Sequence, residues 1–224
     1  NTWVGQQVCA RIGDTPFLGI AGFVVGHEMG ASGAPIEALH AQSLRQADAA
    51  LAVIRKALPD DTIVLVTAGR GSVEDVTTAG VLQEAALKVP LFIRTPCGRT
   101  GTVQEAVSTI DVAPTLYELA DIHSPQRVQG TSLISSPPRG WALSRLRHPD
   151  LPHQTALRTE RWKLIMTHGA PEATHLYDLS RDPTETKNIA DTPTHQDDLE
   201  YMIDLMIDAR VALEDRLEPR IAKF

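Results

Sequence analysis

Cysteine is almost absent from this chain. Two residues in 224, Cys9 and Cys97, are too few for a disulfide framework and lack the spacing of a zinc site. They are left to pair with each other or to be buried as small apolar side chains. Long apolar runs are missing as well, since the longest, residues 17–26, is about half the ~20 residues a membrane helix needs. No transmembrane segment is expected. The chain also lacks a Lys/Arg block: 28 acidic residues outnumber 21 basic ones for a formal charge of −7, which argues against nucleic acid as a partner. There is no Gly-rich phosphate loop and no Gly-x-Ser-x-Gly elbow. Asn1, Thr2 and Trp3 show neither a methionine start nor a basic-then-apolar leader, so a natural N-terminal portion is expected to have been removed or to precede them.

What is present describes a soluble globular chain of one or two domains, with 42% apolar and 22% charged residues. Residues 16–25 are rich in aromatic and β-branched positions and read as a strand buried on both faces. Pro35 suits the first turn of a helix whose apolar stripe is Ile36, Leu39, Ala47, Ala50, Leu51, Ile54 and Leu58. Pro59-Asp60-Asp61 ends it, and Ile63 to Val66 reads as a central parallel strand. A right-handed crossover should join these strands. The turn at Gly69, Arg70 and Gly71 is where an α/β enzyme places ligands or catalytic groups. A short helix with Leu82, Ala85 and Ala86 and a strand over residues 89–94 complete a β-α-β-α-β pattern.

Residues 103–108 suggest a further strand, and residues 111–120 a helix with Pro114 in its first turn. The Pro/Ser/Gly-rich stretch 130–152 reads as an irregular crossing, with a boundary near residue 140 that separates an α/β core (1–140) from a C-terminal subdomain (141–224). There, residues 155–159 and 162–167 form two strands around Glu160 and Arg161, and residues 175–179 a third. From Asp198 onward Leu199, Ile203, Met206, Ile207, Val211, Leu213 and Leu217 mark a long closing helix.

Several stretches together resemble the sulfatases of the alkaline phosphatase superfamily, over the C-terminal two-thirds of that family's pattern. They are Asp14-Thr15-Pro16-Phe17-Leu18 running to Gly26-His27, residues 60–67, Lys88-Val89-Pro90-Leu91-Phe92-Ile93-Arg94 and Asp111-Val112-Ala113-Pro114-Thr115-Leu116. Further on, residues 156–165, Leu176-Tyr177-Asp178-Leu179 and Asp182-Pro183-Thr184-Glu185-Thr186 continue it in order. The resemblance implies a mostly parallel sheet flanked by helices, followed by a small antiparallel sheet and helix.

Carried over residue by residue, the resemblance implies a degenerate active site. The family's Asp-His metal position falls on Gly69 and Arg70, and its sulfate-contacting lysine on Ala79. Glycine offers no side-chain ligand, and a guanidinium repels a cation. Arg70 could instead occupy the metal position or clamp an anion. His27 alone keeps an active-site residue type and is the residual pocket candidate. The family nucleophile, a Cys or Ser in Cys/Ser-x-Pro-x-Arg, is matched formally by Ser135-Ser136-Pro137-Pro138-Arg139, but in the linker rather than near the start of the pattern. His148 and His153 are assigned to a solvated turn, His168 and His175 to a sheet edge, and Asp197, Asp198 and Glu200 to the favoured acidic start of a helix.

No catalytic residue, metal or cofactor is therefore expected. The leading expectation is a catalytically inactive sulfatase-like protein that serves as a structural or interaction subunit of a larger assembly, periplasmic or otherwise extracytoplasmic. Partner subunits would cover an incomplete sheet or cleft. The alternatives are a fragment of a divergent sulfate- or phosphate-ester hydrolase and a module that binds a sulfated ligand.

Overall fold

The computed structural model describes residues 6, 9, 17–23, 36–71, 82–96, 98, 100–125, 128–149 and 151–213. His27, Ala79 and Cys97 lie outside them. The chain forms two compact units, Asn1–Thr62 and Ile63–Phe224.

The first unit holds helix α1, Ile36–Ala57. Ala50 and Ile54 of its apolar stripe are buried. Arg55 and Lys56 face the negative end of the helix dipole, and Leu58 N–H donates to the Ile54 carbonyl to close the last turn. Residues 17–23 form neither helix nor strand, which corrects the expectation of a buried strand there. Such a strand needs a ladder partner, and among the described residues 17–23 have none. Leu18 and Ile20 are instead 84% and 91% exposed.

In the second unit β1 (Val64–Thr67) and β2 (Leu91–Arg94) pair antiparallel, with Val64 opposite Arg94 and Thr67 opposite Leu91. The β-α-β-α-β pattern implies a parallel neighbour here, and the pair is antiparallel instead. The described helix on the connection, α2 (Glu84–Leu87), is a single turn of about 6 Å, too short to carry the chain back along a strand of about 13 Å. Among the described residues every strand pair is antiparallel, so the mostly parallel core is not part of them.

Residues 103–108 form no strand either. Ser108 instead opens a 3-10 turn, Thr109–Asp111, that runs into α3, Val112–Leu119, with Pro114 buried in its first turn as expected. Asp111, 2% exposed, closes a capping box with Ser108, and its Oδ1 accepts from Thr131 N–H at 2.9 Å and Arg139 at 2.5 Å. One carboxylate thus holds the helix start, residue 131 and residue 139 together.

The remainder is a four-stranded meander, β3 (Trp141–His148), β4 (Leu151–Thr159), β5 (Trp162–Thr167) and β6 (Ala170–Asp178), followed by α4 (Gln196–Ala212). The hairpin around Glu160 and Arg161, the third strand and the closing helix follow the sequence expectation. β3 and the start of β4 do not, having been read as irregular crossing. Pro152 is tolerated in β4 because it lies before Gln154, where the β4–β5 ladder begins.

Register builds the core. Leu143, Leu157, Leu164 and Leu176 lie opposite one another in a row across all four strands. Met202, Met206 and Ala209, spaced as one face of α4, pack onto that row. The other face of the sheet, with Ala156, Ile165 and Tyr177, receives Leu82 and Leu87. Cover on both sides accounts for four successive buried residues in β5, Trp162 to Ile165. It also places the composition change near residue 140 inside the second unit, since residues 82–87 pack on β4, β5 and β6.

Candidate functional site

β1 delivers its last residue, Thr67, to the surface, followed by Ala68, Gly69, Arg70 and Gly71. The two glycines are not equivalent. A Cβ on Gly71 would lie 2.0 Å from the Ala85 carbonyl oxygen, and Gly71 N–H donates to the Ala86 carbonyl at 2.7 Å, so the backbone is seated directly on α2. A Cβ on Gly69 would meet nothing within 4 Å. Arg70 beside it is exposed. The turn is anchored at one end and open at the position where the resemblance implies a metal.

Beneath the anchor lies a buried ion cluster. Lys163 projects from the α2-facing side of β5 and is 0% exposed; its Nζ lies 3.0 Å from Glu84 Oε1 and 3.0 Å from Glu185 Oε1. The second contact is an ion pair without hydrogen-bond alignment, which leaves Glu185 Oε1 without a hydrogen-bond partner. Glu185 Oε2 accepts the backbone N–H of Glu84 at 2.5 Å, and Arg158 Nε lies 3.4 Å from Glu84 Oε2. Two cations and two carboxylates balance, which is the condition under which charge can be buried. With both its neighbours carboxylates, Lys163 positions α2 against the sheet.

Glu185 reaches this place through a left-handed backbone, φ 55°. That conformation is unfavourable for a side chain with a Cβ and is held from below. Asp182 accepts from Thr186 N–H at 3.1 Å and Lys187 N–H at 2.8 Å, hydrogen bonds that depress its carboxyl pKa.

The structure separates the remaining candidates. Ser135 Oγ donates to Glu118 at 3.0 Å, while Arg139 pairs with Asp111 and lies 4.9 Å over the Trp141 ring, so both ends of the formal nucleophile match hold local structure. His175 stacks on Tyr177. His168 sits in the exposed β5–β6 turn, at the margin of the sheet as expected, while His153 is exposed on β4 rather than in a turn; His168 N–H donates to the His153 carbonyl at 2.8 Å, and both residues line a cavity of about 220 Å³ with Arg145, Arg147 and Arg210. Sequence reasoning missed this group. Its residues span positions 145 to 210, and only strand register brings them together. Cys9 Sγ lies 3.8 Å from the Val53 carbonyl in the first unit.

The residues at the end of β1 do not fit a divalent metal. Space exists at Gly69, but neither Gly69 nor Arg70 offers a side-chain oxygen or imidazole, and Arg70 adds positive charge beside it. Among the described residues no three His, Cys, Asp or Glu side chains gather as a metal site requires. No helix among them is long and apolar enough to cross a membrane.

Comparison with known proteins places this geometry. The family model described as N-sulphoglucosamine sulphohydrolase, C-terminal, matches residues 79–137 and 147–212. Bovine arylsulfatase K is 35% identical over 127 residues, 49% of this chain and 23% of that protein. The uncharacterized sulfatase YidJ of Escherichia coli K12 is 26% identical over 168 residues, 70% of this chain and 33% of its own length. The chain thus spans about a quarter to a third of these relatives. Among solved structures, the phosphonate monoester hydrolase of Agrobacterium radiobacter superposes with a TM-score of 0.67 at 22% identity, covering 80% of this chain and 42% of that one. A protein solved in complex with its substrate D-glucosamine-2-N,6-O-disulfate gives 0.66 at 20% identity, covering 84% and 41%. At such identities the likeness is one of fold.

Proposed function

Because the chain belongs to the family described as N-sulphoglucosamine sulphohydrolase, C-terminal, we propose that it is a sulfatase-like polypeptide whose own residues do not run a sulfatase reaction. It serves instead as a structural or interaction subunit of a larger extracytoplasmic or membrane-associated assembly. The observation that carries this reading is the open Gly69 and exposed Arg70 at the end of β1, where the sequence resemblance puts the family's metal ligands. Exposed apolar side chains support the need for cover: Phe92 on β2 is 66% exposed in the second unit, as is much of residues 17–20 in the first. Purified chain should hold no stoichiometric calcium or magnesium by elemental analysis and should not turn over an aryl sulfate. Stoichiometric metal together with turnover would overturn the reading.

A second reading is favoured by coverage. The chain spans 23% of bovine arylsulfatase K, so a longer native polypeptide could supply the metal ligands and the nucleophile from elsewhere, making this the C-terminal part of a sulfate-ester or phosphate-ester hydrolase. Intact mass and N-terminal sequencing of the native protein distinguish the two. A longer chain with Cys-x-Pro-x-Arg near its start supports the hydrolase. In a third reading Arg70 clamps a sulfated ligand in the old cleft, and its mark is sulfate binding that is lost in Arg70→Ala.

A further inference from the structure

On the α4 side of the sheet, the leucine row gives way two residues further along to a row of Arg145 and Thr155, which are register partners. The ladder slips between Leu146 and His148, and Arg145 and Arg147 both line the cavity that opens there. Arg210 enters the same cavity from the last turn of α4, His153 from β4 and His168 from the β5–β6 turn. Three guanidinium groups and two imidazoles thus converge on about 220 Å³ in a protein whose formal charge is −7. We propose that this cavity is a binding site for a doubly charged oxyanion group, held by Arg145, Arg147 and Arg210 and read by His153 and His168.

Basic side chains brought from two strands, a turn and a helix to one space suit the several oxygens of an anion. Arg145 is held below its usual pKa by burial and then by Arg147 and Arg210. His168 is lowered by burial, then by Arg210, His153, Arg147 and Arg145. Each arginine also has other contacts within the protein, and the proposal needs only their convergent charge. Thr155, 1% exposed, fixes the His168 ring through a 2.9 Å contact from its Oγ1 to Nε2. Planar guanidinium forks suit the oxygens of such a group.

The test uses the full chain with isotope-labelled histidine, titrated with sodium sulfate at constant ionic strength while the His153 and His168 ring resonances are followed. Sulfate keeps its double charge throughout the histidine range. Saturable shifts of both rings and an upward move of the His168 pKa are expected, with affinity falling about tenfold in Arg145→Gln and again in Arg210→Gln. Arg147→Gln, at an exposed position, serves if either variant fails to fold. Arg181→Gln, whose side chain is 79% exposed and does not line the cavity, controls for net charge and should bind as the parent does. Inorganic phosphate against glycerol 3-phosphate separates sources: equal affinity points to a free anion, and tighter ester binding to a group carried on a larger molecule. Shifts that rise linearly without saturating, or arginine variants that bind as well as the parent, overturn the proposal.

Discussion

The two sheets of the second unit are built to different standards. β1 and β2 contain no fully buried residue, and Phe92 points largely into solvent, whereas β5 buries four residues in succession between α4 and the segment around α2. A two-stranded ribbon is marginal in water, and a four-stranded sheet covered on both faces is not. The turn at Gly69 and Arg70 follows the weakly built sheet. Burial is concentrated in the C-terminal sheet.

The comparison breaks most directly at Lys163, which joins the two regions. Lys163→Ala strands the buried Glu185 without a countercharge, leaves Glu84 with Arg158 alone, and should cost about 3–5 kcal/mol in urea unfolding. Most of that should return when Glu84→Gln and Glu185→Gln are added. If the single variant unfolds within 1 kcal/mol of the parent, as few surface changes fail to do, the cluster does not join the regions. Leu164→Ala, at a position 0% exposed, should cost about 2–5 kcal/mol, against roughly 0.5 kcal/mol or less for Phe92→Ala at 66% exposure. Equal losses would erase the distinction between the sheets.

The glycine pair sharpens it on a smaller scale. Gly71→Ala drives a methyl into the Ala85 carbonyl and should cost about 1–3 kcal/mol and loosen α2 in hydrogen exchange, whereas Gly69→Ala should stay within about 0.5 kcal/mol.

The last expected effect is electrostatic. Asp178, at the end of β6, has its pKa lowered to about 2, first by the hydrogen bond from Arg161 and then by those from Ser180. Its folded pKa lies below its unfolded value, so its contribution is complete above about pH 4 and is lost as pH falls toward 2. Half-exposed Arg161 limits that to on the order of 1–2 kcal/mol. Asp178→Asn should flatten the acid limb of a stability–pH profile in that interval, and an unchanged limb would count against it.

Local patterns were legible wherever one face decided the outcome. The stripe of α1, the capped helix after Asp111 and the hairpin at Glu160 and Arg161 carry their own periodicity and turn chemistry. Strand direction was not legible. Ile63 to Val66 reads the same in a parallel or an antiparallel pair, and only the partner's register decides. β3 was hidden because Arg145 and Arg147 interrupt its apolar alternation in order to line the cavity. That Gly69 and Arg70 bring no side-chain oxygen or imidazole can be read from residue type alone. His153 and His168 could not be grouped without the fold.

Order of synthesis gives the Lys163 cluster a further consequence. Glu84 receives its backbone partner from Glu185, 101 residues later in the chain, and its cations from Arg158 and Lys163, 74 and 79 residues later. On a ribosome that interval lasts about 5–20 s, during which the Glu84 carboxylate has no counterion to enter the interior with. The α2 region must therefore stay hydrated until the C-terminal sheet has emerged, and it dehydrates last although it is made first. A nascent chain stalled before residue 163 would expose Leu82 and Leu87 with nothing to cover them, a natural hold for a chaperone.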